Sequence, residues 1–164
     1  MSENKIGILS DTHDNRSSIH RAVEIFNEAG CSLVVHAGDF VAPFTAWEFV
    51  RLTCPFIGVV GNNDGDKNGL RQAYAEFGTI YGPPHEFTHG GKRLVVMHEP
   101  DYVDEYRSRE DMDVVIYGHT HKLTISPGNP LVINPGECCS WVSGQSTVVL
   151  LDLSTMDVRV CDVG

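Results

Sequence analysis

Apolar and polar positions alternate with one rhythm in the first half of the chain and another in the second. Residues 5–10 form a strand-length apolar run that ends in Asp11, Thr12 and His13. From Ser17 to Ala29, Ile19, Ala22, Val23, Phe26 and Ala29 recur at helical spacing. Asn15 or Ser17 is placed to cap that helix and Gly30 to end it. Residues 32–36 predict a second strand, and residues 43–52 a helix with Pro43 in its first turn. Residues 56–60 predict a third strand, followed by a helix that Asn68 would cap and that runs through Phe77.

Past residue 84 the pattern changes to paired strands. Residues 85–89 and 92–97 flank Gly90-Gly91, a two-residue hairpin signal. Residues 113–117 predict another strand, residues 123–126 and 131–134 flank Pro127-Gly128-Asn129, and residues 146–153 and 157–163 form a closing hairpin. Strands alternating with helices imply parallel pairing in the first half, while hairpins imply antiparallel pairing in the second. The expected architecture is α/β: two packed sheets with helices outside.

Length and charge narrow the options. The 164 residues suit a single domain spanning 1–164, with 41% hydrophobic and 21% charged residues. A net charge of −10 disfavours binding to a nucleic-acid duplex or an anionic membrane. No apolar run approaches the roughly 20 residues of a spanning helix, and Met1 to Lys5 carry no apolar leader. Five cysteines without CxxC spacing read as reduced thiols. The expected location is the cytoplasm.

The chemistry sits where polar residues interrupt the strands. Five predicted strands run out into metal-ligating side chains: Asp11 and His13, then Asp39, Asn62, His98, and finally His119 and His121. Any one of these alone reads as turn or capping chemistry. Together, at successive strand ends, they converge on the crevice where open α/β sheets bind ligands. Imidazoles, carboxylates and an amide oxygen suit divalent first-row metals, and seven donors exceed one tetrahedral ion. Two ions sharing a bridging carboxylate account for the number, and such pairs stabilise in-line displacement at phosphorus.

At these residues the chain resembles the calcineurin-like metallophosphoesterase superfamily. The motifs stand in order as Asp11-Thr12-His13, Gly38-Asp39, Gly61-Asn62-Asn63-Asp64, His98 and Gly118-His119-Thr120-His121. The short length and Asn134-Pro135-Gly136 resemble its small prokaryotic phosphodiesterase branch, related to the retromer scaffold subunit. The resemblance implies a four-layer αββα sandwich of two mixed sheets flanked by helices. It implies that Asp11, His13 and His121 hold one metal, that Asp39 bridges, and that Asn62, His98 and His119 hold the second. The implied reaction is phosphodiester hydrolysis by in-line attack of a metal-bridging hydroxide. A phosphomonoesterase with the same site and a catalytically weak scaffold are the alternatives. Manganese leads among the implied ions, with nickel, iron, zinc or magnesium as alternatives. A small phosphodiester substrate and a homo-oligomer complete the implied partners.

Several positions depart from the family pattern. Many members carry histidine where this chain has Asn63, which can bond a phosphate oxygen but is no general acid near neutral pH. Asp39 and Asn63 are therefore the expected catalytic residues, and turnover is expected to depend on the leaving group. His85, His89 and Glu99 are substitutes for the missing acid, although surface roles suit them better. Glu137 stands where a small hydroxyl residue is common. Arg16 and Asn63 are the expected substrate contacts, the former at a helix N-terminus. His20 and His36 read as structural, and Phe40, Phe44 and Trp47 as core.

Overall fold

The computed structural model describes residues 4–164. The reading of the N-terminus as free of an apolar leader falls partly on residues 1–3, which lie outside the described residues. In chain order the elements are β1 (Lys5–Leu9), α1 (Arg16–Ala29), β2 (Leu33–His36), a 3-10 helix (Pro43–Phe49), β3 (Phe56–Val59), α2 (Lys67–Tyr74), β4 (Gly78–Tyr81), β5 (His85–His89) and β6 (Lys92–Val96). A short 3-10 turn (Pro100–Tyr102), α3 (Val103–Arg107), β7 (Val114–Ile116), β8 (Leu123–Ser126), β9 (Leu131–Pro135), β10 (Thr147–Asp152) and β11 (Asp157–Asp162) complete it.

Two mixed sheets form, ordered β11-β10-β1-β2-β3-β4 and β5-β6-β7-β9-β8. Alternation along each strand sends one set of side chains between the sheets and the other outward. Ile6, Ile8 and Val35 of the first sheet meet Val96, Val114, Ile116 and Ile133 of the second in an inter-sheet core. On the outer face of the first sheet, Leu9 and Val34 pack with Ile19 and Phe26 of α1 and Leu70 and Tyr74 of α2. Val95, Val115 and Val132 on the other outer face pack with Val103 and Tyr106 of α3. Three cores separate four layers, which is the αββα sandwich.

The α1 caps follow the sequence expectation: Asn15 accepts from Ser18 N–H, and Gly30 takes a left-handed φ of 69°. Other details differ. Asp66, rather than Asn68, caps α2, accepting from Gly69 N–H at 2.9 Å. The helix expected over 43–52 is a 3-10 helix ending at Phe49. Three residues per turn align Phe44, Trp47 and Val50 on one face, and these are 58%, 76% and 54% exposed. Phe44 and Trp47 are therefore not core residues, whereas Phe40 is fully buried.

The second half is not purely antiparallel. β6 pairs parallel with β7, and β7 with β9. The crossover from β6 to β7 is α3, whose buried positions Val103 and Tyr106 are too few to set a visible period. β4, a parallel edge strand that buries only Ile80, has too short and mixed a pattern, Gly-Thr-Ile-Tyr, to stand out in the sequence.

Candidate metal centre

Parallel registers bring the strand ends level. Leu9 lies opposite His36 and His36 opposite Gly58, so Asp11, Asp39 and Asn62 leave the first sheet together. Val96 lies opposite Ile116 in the second sheet, which brings out His98 and His119 at its end. Backbone bonds tie the loops to one another: Asp11 N–H donates to Gly38 O, His13 N–H to Asp39 O and Gly118 N–H to His98 O. A hydrogen bond from Cys138 N–H to Ser10 O joins the segment after β9 to the end of β1.

All seven side chains meet there. Asp39 Oδ2 is central, 3.2 Å from His13 Nε2 and 3.3 Å from His98 Nε2. On one side, Asp11 Oδ1 lies 3.6 Å from His13 Nε2 and 3.5 Å from His121 Nε2. On the other, Asn62 Oδ1 lies 2.9 Å from His98 Nε2 and 3.1 Å from His119 Nδ1. Two donor sets therefore share one carboxylate. Among the described residues, Asp11 Oδ1, His13 Nε2 and His121 Nδ1 are buried with no hydrogen-bond partner. Buried polar atoms are rarely left so, and donors of this type converging on one point fit divalent cations.

Neighbouring groups aim each donor. Ser10 Oγ at 2.7 Å and His119 N–H at 3.1 Å donate to Asp11 Oδ2, leaving Oδ1 to face the centre. His98 Nδ1 donates to Ala37 O at 2.8 Å, so the neutral ring keeps its Nε2 lone pair. Asp39, His119 and His121 have φ values of 62°, 69° and 62°, and Asp11 and His13 of 53° and 38°. Left-handed backbone at non-glycine residues costs energy and concentrates at functional sites. Gly118 allows this crowding, because a Cβ there would collide with Ser10 Oγ. A Cβ at Gly61 would strike the Asp39 carboxylate.

Electrostatics follow from the crowding. The Asp11 and Asp39 carboxylates, 3.6 and 3.2 Å from Nε2, favour the charged imidazole and raise the His13 pKa to about 10. Burial pushes Asp39 up, but the His13 and His98 rings beside it and the bond from Asn63 N–H outweigh that and hold the carboxyl well below its usual range. Asp11 is lowered too: burial opposes, while the adjacent His13 ring, the bond from Ser10 and the charges of His98 and His121 prevail. Burial works against protonating His98, and Asp39 reverses that and raises its pKa. The carboxylates demand positive charge. Protons on His13 and His98 supply it, and a dication at the same place would displace them.

Three residues that the motifs contain or adjoin, without a role assigned from sequence, brace the centre. Asp64 is buried and accepts from Asp39 N–H (2.9 Å), Gly61 N–H (2.7 Å) and Val41 N–H (2.7 Å), which fixes two loops together. Its place in the Gly61–Asp64 motif was the available signal. Asn134 donates to Gly118 O at 3.0 Å and Thr120 Oγ1 at 2.9 Å, bracing the Gly118–His121 loop. Glu137 is buried, accepts from Val142 N–H and Ser143 N–H at 2.8 Å each, and lies 3.4 Å from His121 Nδ1.

The remaining candidates are distributed as follows. Asn63 is exposed at the centre, its Nδ2 donating to Asp39 Oδ2 at 2.8 Å and its N–H to Oδ1 at 2.9 Å. Arg16 Nε donates to Glu48 at 2.7 Å and its guanidinium lies over Phe44, lining an outer groove of about 710 Å³. His85 stacks on Tyr81 at 3.5 Å, and His89 bonds Ser32 Oγ at 2.8 Å, so both are engaged on β5. His36 is buried against Phe40 and Thr12, and burial depresses its pKa to about 3. His20 is partly exposed, 3.5 Å from Glu24. The five cysteines are all free.

A two-sheet sandwich carrying this donor set at one edge defines a metal-dependent phosphoesterase. Residues 5–156 match the calcineurin-like phosphoesterase superfamily domain, and the chain belongs to that family. Phosphodiesterase MJ0936 of Methanocaldococcus jannaschii is 36% identical, the match covering 94% of this chain and 96% of the relative. The solved structure of an archaeal phosphodiesterase aligns with a TM-score of 0.91 at 35% identity, covering 96% of this chain and 99% of that one. Vps29 from Chaetomium thermophilum, at 15% identity and a TM-score of 0.67 over 96% of this chain and 93% of that one, shares the fold.

Proposed function

We propose that the protein is a cytoplasmic phosphodiesterase that hydrolyses small phosphodiesters with two divalent ions, manganese foremost. The observation that carries this is the shared carboxylate: two donor sets meet at Asp39 Oδ2, with Asp11 Oδ1 and His13 Nε2 buried and unpartnered. The 36% identical phosphodiesterase supports the diester preference.

Asp11, His13 and His121 would hold one ion, Asn62, His98 and His119 the other, and Asp39 both. Bound there, the ions would supply Lewis acidity toward a phosphoryl oxygen and a water of lowered pKa. The protein's own groups do the rest. Ser10, Ala37 and Glu137 hold donor side chains in orientation, which removes reorganisation from the reaction. Asn63, exposed beside Asp39, presents an amide N–H to a phosphoryl oxygen. It supplies no proton to a leaving group near neutral pH. Arg16, the other residue expected to touch substrate, is engaged by Glu48 and would have to leave that pair to do so.

The test is hydrolysis of an aryl phosphodiester beside its monoester after reconstitution with manganese, with Asp39→Asn as the blank. Metal-dependent turnover of the diester above the monoester is the expected result. Monoester preference would move the assignment to a phosphomonoesterase. Two bound metals without turnover of either would favour a scaffold.

A further inference from the structure

We propose that Trp141 is a stacking platform for one ester substituent, so that the centre takes small diesters bearing a nucleoside or another flat aromatic group. The inference rests on the phosphodiesterase reading and adds the substrate class to it. Trp141 is 62% exposed and Val142 beside it 74%. Exposure alone is ordinary for a surface apolar residue; an adjacent apolar pair attached to a donor cluster is a surface on which a flat group can stack.

The exposure is enforced rather than loose. The indole Nε1 donates to the His13 carbonyl at 3.1 Å. His13 belongs to the donor cluster, so the ring is attached to the wall of the centre. The rest of its loop is tied to the same strand end: Cys138 N–H bonds Ser10 O, Cys139 N–H bonds Asp11 O, and Asn15 Nδ2 donates to Cys139 O at 2.8 Å. From inside the loop, the Glu137 carboxylate accepts from Val142 N–H and Ser143 N–H. The ring is thus fixed relative to the donor atoms before any ligand arrives, which lowers the entropy cost of using it. His13, which the indole touches, and His121 keep partly exposed side chains, and Asn62, Asn63 and His119 are exposed, so the donor cluster is open to solvent.

Charge limits what the substituent can be. The chain carries a net −10, and Arg16, close to the first motif, is committed to Glu48. A polyphosphate or a nucleic-acid strand would set several phosphates against that net charge. A single phosphodiester with a neutral flat group meets the two ions with its phosphate and the indole with its ring.

The experiment compares binding of thymidine 5′-phosphate, the product of a nucleoside diester, with that of methyl phosphate to the manganese-loaded protein by calorimetry. Base–aromatic stacking predicts that the nucleotide binds roughly ten-fold tighter. Trp141→Ala should erase that margin and leave methyl phosphate and manganese stoichiometry unchanged. Trp141→Phe should keep most of it, because it retains the ring and loses only the bond to His13. Equal binding of the two ligands by the wild type overturns the proposal. So does Trp141→Phe failing along with Trp141→Ala, which would reduce the indole to a brace for His13. An unchanged margin in Trp141→Ala also overturns it, and a lowered oligomeric state of that variant in sedimentation would assign the ring to contact between copies instead. Hydrolysis of bis(p-nitrophenyl) phosphate, measured on the same wild-type sample, reports on the phosphodiesterase reading separately from the binding comparison.

Discussion

The Glu137 carboxylate lies 3.4 Å from Nδ1 of His121, whose Nε2 faces Asp11 Oδ1 at 3.5 Å. Glu137 is buried, and burial alone would raise its pKa. Bonds from Val142 and Ser143 N–H and from the Cys139 thiol instead keep it lowered and ionised. Nδ1 makes no hydrogen bond. The anion 3.4 Å behind it favours by charge alone the tautomer that carries the proton there and exposes the Nε2 lone pair to the centre. The two residues are 16 positions apart, so the pair forms only when β8 and β9 fold back on each other.

Glu137→Gln should weaken metal affinity roughly 10–100-fold, the usual effect of losing an orienting carboxylate. Calorimetric titration with manganese measures this, and Trp141 fluorescence monitors whether the loop stays in place. Unchanged affinity with an intact loop would assign Glu137 to loop closure alone.

Metal binding should release protons. His13 has a pKa of about 10 against 6.5 unfolded, because Asp11 and Asp39 favour its charged form. In the metal-free protein its proton contributes stability that is complete below about pH 6.5 and is lost as pH rises through about 10. Between these limits binding must displace that proton, so apparent affinity should rise up to about ten-fold per pH unit. Titrations in buffers of different ionisation enthalpy should count at least one proton released at pH 8. A count of zero would contradict the geometry around His13.

Asp64→Ala would leave the N–H groups of Asp39, Gly61 and Val41 without their acceptor. At about 1–3 kcal/mol for a buried unpaired group, a loss of roughly 2–4 kcal/mol is expected by denaturant unfolding of the metal-free protein. Asp64→Asn, which keeps one acceptor oxygen, should lose less. Manganese affinity should fall in both, since Asp39 and Asn62 lie on the loops that Asp64 joins.

Asn63→His would place a general acid where many family members have one. For diesters with poor, alkyl leaving groups, turnover should rise by roughly 100-fold or more, while p-nitrophenyl esters, which leave without a proton, should gain little. A flatter dependence of rate on leaving-group pKa is the signature. An unchanged slope would mean that protonation comes from elsewhere, with Glu99 the nearest candidate in sequence to the donor His98.

How much of this was legible depended on the range over which each feature is determined. Apolar runs at β1, β2 and β3, each ending in a ligand-type residue, displayed the layer order and the edge carrying the centre, because strand alternation and loop chemistry are local. The same locality showed α1 with its caps. Phe44 and Trp47 failed that test: their apolarity suggested core, but a 3-10 winding, decided by how residues 43–49 fit over α1 and α2, turned both outward. The parallel pairing of β6 with β7 was hidden because α3 buries only Val103 and Tyr106.

The sequence by itself determined which seven side chains can ligate, in what order they appear, and that Asn63 cannot act as an acid. Those are properties of side-chain chemistry and of short apolar periods, which survive without knowing where the chain goes. Only the tertiary structure decided that Asp39 Oδ2 is the shared atom, that Glu137 stands behind His121, that Arg16 is held by Glu48, and that Trp141 hangs exposed from the His13 carbonyl. Each depends on contacts between distant segments at ångström precision, set by sheet register and left-handed loop backbone that no local pattern encodes.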